Sequence, residues 1–121
     1  MENYSQKELD SALQIISSTI SKCQKMQLKF TEGTSQYSLL KNRIKALHIS
    51  KALIENDSNI GMYTQSDLEK ALLPVLSIIN KTEKAQMKYS EGTVQYSRLE
   101  PIISAMYISK AFIEKEISKQ A

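Results

Sequence analysis

Lys29-Phe30-Thr31-Glu32-Gly33-Thr34-Ser35-Gln36-Tyr37-Ser38 returns later in the chain as Lys88-Tyr89-Ser90-Glu91-Gly92-Thr93-Val94-Gln95-Tyr96-Ser97. In each copy a glycine follows an apolar-periodic segment and a threonine follows the glycine. Glycine can take the left-handed conformation that ends a helix, and the threonine hydroxyl can accept from the free backbone N–H groups that begin the next one. Each copy therefore reads as the hairpin point of two antiparallel helices.

Working outward, an offset of 59 residues aligns Tyr4–Glu55 with Tyr63–Glu114 without a gap, and 26 of those 52 pairs are identical. A supersecondary unit that recurs at a fixed period cannot bury its apolar face alone, so the two copies are expected to bury theirs against each other. The domain organisation predicted is a single domain over 1–121, with repeat 1 at 4–55, a linker at 56–62 and repeat 2 at 63–114. The linker is rich in Asn, Asp, Ser and Gly, which are turn formers.

Each unit opens on a helix start signal. Ser5 and Glu8 have the spacing of a capping box, with Tyr4 and Leu9 placed as a hydrophobic staple; Thr64, Asp67, Tyr63 and Leu68 repeat it. Apolar residues then step by four and three. Leu9, Leu13, Ile16, Ile20, Cys23, Gln27 and Phe30 form the seam of the first helix, matched by Leu68, Leu72, Val75, Ile79, Thr82, Gln86 and Tyr89 in the third. Tyr37, Leu40, Ile44, Leu47, Lys51 and Ile54 face them from the second helix, as do Tyr96, Leu99, Ile103, Met106, Lys110 and Ile113 from the fourth. Short loops make neighbouring helices antiparallel. The fold predicted is all-α: an up-down-up-down four-helix bundle built from two tandem helical hairpins with pseudo-twofold symmetry. Pro74 and Pro101 cut across the pattern and are expected to kink the third and fourth helices or, for Pro101, to mark a later start.

Composition narrows the function. The chain has 121 residues, 41% hydrophobic and 24% charged, and a net charge of +3. That suits an ordinary globular domain and is a weak electrostatic signal for a nucleic-acid binder. No apolar run reaches a membrane-spanning length and no secretory leader precedes the first helix, so a cytoplasmic location is expected, with no membrane partner. The single Cys23, with Thr82 as its counterpart, suits a small half-buried helical position, and the single His48, with Tyr107 as its counterpart, suits a partly buried amphipathic one. No metal-ligand set, phosphate loop or nucleophile motif is present. No catalytic residues, cofactor or metal are expected, and an enzyme is not.

Three features carry the functional expectations. The first is a second apolar stripe: Ala46, Ile49 and Leu53 lie opposite the seam of their helix, as do Ala105, Ile108 and Phe112, with Ile102 widening the apolar arc of the fourth helix. Such a stripe implies either a more central placement of helices two and four or a surface that meets another chain. A homodimer or other protein partner is expected there. The second feature is a pair of polar clusters at the turns: Gln27, Gln36 and Tyr37, and Gln86, Gln95 and Tyr96. They could form small ligand pockets, or their amides could satisfy loop backbone and fix the hairpin register. The third is a lysine stripe, Lys22, Lys25 and Lys29 with Lys81, Lys84 and Lys88, which reads as a solvated face. It could grip phosphates together with Lys41, Arg43 and Lys45, but the second copy has Glu100, Ile102 and Ser104 at those positions. Lys51 and Lys110 are expected to lay their stems on the seam and reach water.

The run Leu39-Leu40-Lys41-Asn42-Arg43-Ile44-Lys45-Ala46-Leu47, after Glu32-Gly33-Thr34-Ser35-Gln36, resembles the motif of a family of short uncharacterised helical proteins from low-GC Gram-positive bacteria. The second copy departs from it, reading Arg98-Leu99-Glu100-Pro101-Ile102-Ile103. The resemblance implies a helical bundle and carries over no functional residues. The expected function is a non-enzymatic helical interaction or regulatory module working through the apolar faces of helices two and four. The alternatives are a small-ligand sensor at the turns and a nucleic-acid regulator.

Overall fold

The capping signals at each repeat's start are realised as drawn. In the computed structural model, which describes residues 4–57 and 61–120, Ser5 Oγ accepts from Glu8 N at 3.1 Å while Glu8 Oε1 accepts from Ser5 N at 3.0 Å. Thr64 and Asp67 make the same reciprocal pair, both bonds at 3.0 Å. Four helices follow: α1 (Gln6–Gln27), α2 (Ser35–Glu55), α3 (Gln65–Gln86) and α4 (Val94–Gln120). No strand occurs among the described residues. Part of the predicted linker, residues 58–60, lies outside them.

The hairpin turns differ from expectation in how the helix ends. α1 and α3 finish on Leu28 and Met87 in right-handed conformation, not on the glycines. The last turn tightens instead through short i to i−3 bonds, Lys29 N to Met26 O and Phe30 N to Gln27 O, with Lys88 N and Tyr89 N doing the same toward Ala85 and Gln86. Gly33 and Gly92 come later, at φ of 95° and 93°, immediately before the cap. Thr34 Oγ1 donates to Thr31 O at 2.8 Å and accepts from Tyr37 N at 3.3 Å, so one hydroxyl ties the turn to the start of α2. Thr93 does the same for α4. Nothing lies within 4 Å of a methyl built on either glycine. The cost of Gly33→Ala is therefore conformational, about 1–2 kcal/mol for an L-residue held in that region, and urea denaturation should read it. A loss no larger than that of an exposed Ser38→Ala control would contradict the requirement for glycine.

Consecutive helices contact each other across short connections, and α4 runs back to where α3 begins, its Gln120 Nε2 donating to Tyr63 O. The Tyr4 ring stacks on Phe112 at 6.2 Å, placing the start of α1 beside the far part of α4. The order is up-down-up-down, and both hairpin turns sit at one end of the bundle. The predicted seam is the core: Ile16, Ile20, Leu47, Ile54, Leu68, Val75, Ile79, Met106 and Ile113 are all buried in one cluster. Only its last α1 and α3 members fail, since Phe30 and Tyr89 come after the helices have ended and are exposed.

α1 and α3 do not meet, whereas α2 and α4 contact each other and both other helices. They are the near diagonal of the bundle, and a helix in that place must be apolar on two sides. The second stripe is consequently interior. Ala46, Ile49, Leu53, Ala105 and Ile108 are buried within the single chain, and Ile102 and Phe112 are half-buried against the same core. The single chain's own packing accounts for the stripe, which follows the other branch of the sequence expectation, central placement. Two buried serines complete the diagonal. Ser50 and Ser109 are fully enclosed, and each satisfies its hydroxyl by donating to a carbonyl one turn back, of Ala46 and Ala105 respectively. Small residues at these points let the α2 and α4 backbones come close.

Both prolines lie inside their helices, Pro74 in α3 and Pro101 in α4. The fourth helix does not start late, because the Thr93 cap already fixes its first turn ahead of Pro101.

Candidate interaction site

Among the described residues, a groove lies between α2 and α3 and another between α4 and α1. The larger, about 530 Å³, lies between α2 and α3 and is lined by Asn42, Lys45 and Ile49 on one wall and Asp67, Lys70, Ala71 and Pro74 on the other. The smaller, about 270 Å³, lies between α4 and α1 and is lined by Pro101, Ser104 and Ile108 with Glu8, Ser11, Ala12 and Ile15. An offset of 59 residues turns seven of the lining residues of one into lining residues of the other. They occupy matching places in the two repeats and differ in chemistry.

The difference is sharpest at the rim. The larger groove is lined also by Leu39 and Leu73, which are 46% and 70% exposed, and Leu76, 38% exposed, lies one helical turn from Leu73 on α3. The matching residues of the other repeat are Arg98, Gln14 and Ser17. Core formation cannot account for leucines that water reaches, and the other copy does without them. Single exposed leucines are unremarkable on a protein surface, but two lining one recess with a third a helical turn away make a patch. Lys45 Nζ spans the groove to Asp67 Oδ1 at 3.2 Å. The Asp67 carboxyl is held below the usual aspartate range, first by the Thr64 backbone N–H and then by the Lys45 ammonium. Because the folded state favours the charged form, its contribution to stability is present above the unfolded aspartate pKa of about 3.9 and fades as pH falls below that.

At the turns Gln36 and Gln95 are exposed. Gln86 is half-buried and spends its amide on Tyr96 O at 3.2 Å and on the Glu100 carboxylate. It fixes the hairpin register, the structural role open to it from the sequence. Gln27, Tyr37 and Tyr96 are likewise half-buried against their own hairpins. His48 is exposed, not partly buried, and its counterpart Tyr107 donates to Glu83 Oε2 at 3.0 Å, which pushes the phenol pKa up. Lys110 lies 5.9 Å from the Tyr107 ring centre, consistent with a stem on the seam and a head in water. Cys23 is buried, more so than expected; burial raises its pKa and the Arg43 charge opposes the rise. Arg43 is not part of a solvated patch: it is half-buried, with Nε and Nη2 enclosed and unpartnered.

No family model, curated protein or solved structure matches the chain. The functional reading therefore rests on the geometry. Among the described residues no group of three or more potential ligands is placed to hold a metal, and no helix is long and apolar enough to cross a membrane.

The leucine rim was missed by periodicity because Leu73 and Leu76 lie off the seam, where an apolar residue counts only as noise. Subtracting one repeat from the other would have found them.

Proposed function

We propose that the chain is a non-enzymatic helical interaction module that self-associates through the α2/α3 face. The carrying observation is the exposed leucine rim of the larger groove, set against the polar rim of its counterpart. A twofold contact requires one patch to offer both a projection and a recess. Leu73, the most exposed of the three, projects beside a groove whose volume of about 530 Å³ leaves room for its equivalent from a second copy. The face also carries both signs of charge, Lys45 and Lys70 with Asp67 and Glu69, so two copies can meet without net repulsion.

Sedimentation equilibrium from micromolar to millimolar protein tests this. The chain should pass from monomer to dimer. A variant carrying L73Q and L76S, the residues of the matching positions, should stay monomeric while keeping its helical content and a cooperative melt, because Leu73 is 70% and Leu76 38% exposed. A parent that is monomeric throughout, or a variant that dimerises as well as the parent, would contradict the proposal.

A further inference from the structure

The end of the bundle that holds both hairpin turns has a composition of its own. Leu28 and Met87, at matching positions, are 87% and 82% exposed, the two highest values among the large apolar residues that water reaches. Phe30 and Tyr89, also matched, are exposed beside them, as are Met26 and Val94. Unlike the leucine rim, this feature is present in both copies. It is not a by-product of core formation, since α1 and α3 have already ended when Leu28 and Met87 are reached.

Charge is concentrated at the same end. The segments 20–45 and 79–104, which hold the turns and the adjoining helix halves, carry ten of the sixteen Lys and Arg residues and four of the thirteen Asp and Glu residues. That is a surplus of +6, leaving −3 for the remainder, so the modest net charge of +3 conceals a polarised molecule. The surplus counts Glu32 and Glu91, which sit in the turns. Lys22, Lys25 and Lys29 and their equivalents Lys81, Lys84 and Lys88 are all exposed. Of the pairs identical between repeats and exposed in both, all but Glu55 and Glu114 fall between residues 22 and 38 and their matches. The two copies have diverged elsewhere on their surfaces and stayed alike here.

We propose that this end docks onto an anionic lipid surface. Apolar side chains at the apex would enter the headgroup boundary, and the lysines behind them would meet the lipid phosphates. The up-down-up-down order puts both turns on one side of the molecule, so the two tips can engage one plane together, and the second adds to the first by proximity. Three alternatives fit less well. Nucleic acid would use the lysines but offer little to Leu28 and Met87, which need an apolar phase. A second copy meeting end to end would bring two surfaces of +6 together. A neutral membrane would ignore the charge. Neither weak apolar insertion nor charge alone anchors a protein stably, and their combination does.

The test is co-sedimentation of the whole chain with vesicles of phosphatidylcholine alone and of phosphatidylcholine mixed with phosphatidylglycerol. Binding is expected to the mixed vesicles only, and it should weaken with added salt. Replacing Lys25, Lys29, Lys84 and Lys88 by Gln should reduce it about a hundredfold or more, since each lysine near the surface contributes roughly a fivefold factor. L28S with M87S should also release the protein while leaving its helical content and melting unchanged, because both residues are exposed. Failure to bind the mixed vesicles overturns the proposal. So does equal binding to both vesicle types, or a parent that binds duplex DNA as tightly as the mixed vesicles with L28S/M87S having no effect on either. The L73Q/L76S variant should bind vesicles with its tips intact, so this result and the test of self-association fail independently.

Discussion

Leu53→Asp and Ala46→Asp are each expected to leave the chain largely unfolded, with the helical circular dichroism lost in buffer or at the first additions of urea. Both positions belong to the second apolar stripe, and both are buried in the single chain. An ionised carboxylate there has no partner, and its desolvation together with the lost packing or the overfilled site exceeds about 4 kcal/mol. Domains of this size have roughly 5–15 kcal/mol in total. Leu73→Asp supplies the contrast: it adds the same charge at a residue 70% exposed, and should change stability by no more than about 0.5 kcal/mol. If Leu53→Asp instead folded normally and lost only association, the stripe would be a surface and the central placement of α2 and α4 would be wrong.

Arg43→Ile is expected to stabilise the fold by about 1–3 kcal/mol, the cost of enclosing polar groups without partners. Isoleucine is the residue at the matching position, Ile102, where it lies half-buried against the core. In the native chain Arg43 Nε and Nη2 are enclosed with no hydrogen-bond partner among the described residues. The same change has a second readout. The Arg43 charge is what opposes the burial-driven rise of the Cys23 pKa, so its removal should push the thiol higher still and slow its reaction with a thiol reagent at fixed pH. Urea midpoint and alkylation rate together check the account. A lower midpoint, or faster alkylation with an unchanged midpoint, would show that Arg43 has a role the structure does not give it.

Where the sequence was legible, a short-range rule was enough. Capping boxes at Ser5 and Thr64 are patterns four residues long, and the seams from Leu9 to Cys23 and from Leu68 to Ile79 follow the helical period. The turn was legible as a turn, yet its mechanism was not, because short i to i−3 bonds ended α1 before Gly33 could. The second stripe was recognised and then sent to the wrong place. Periodicity says that Ala46, Ile49 and Leu53 must be covered, but not by what, since which two helices form the near diagonal is a property of the assembled bundle. His48 was misplaced for a related reason: a residue beside a seam is buried or exposed according to how neighbouring helices are offset. The exposed apolar residues were invisible for the opposite cause. Leu28 and Met87 continue the apolar pattern of their helices, and only coordinates show that nothing covers them.

The central claim is that α2 and α4 are apolar on two sides because they form the inner diagonal of one chain. Methyl NMR with a soluble paramagnetic agent, at a dilution where the protein is monomeric, measures this directly. The methyls of Ala46, Leu53, Ile108 and Met106 should keep their signals while those of Leu28, Leu73 and Met87 are broadened. Broadening of Ala46, Leu53 and Ile108 in the monomer would contradict it.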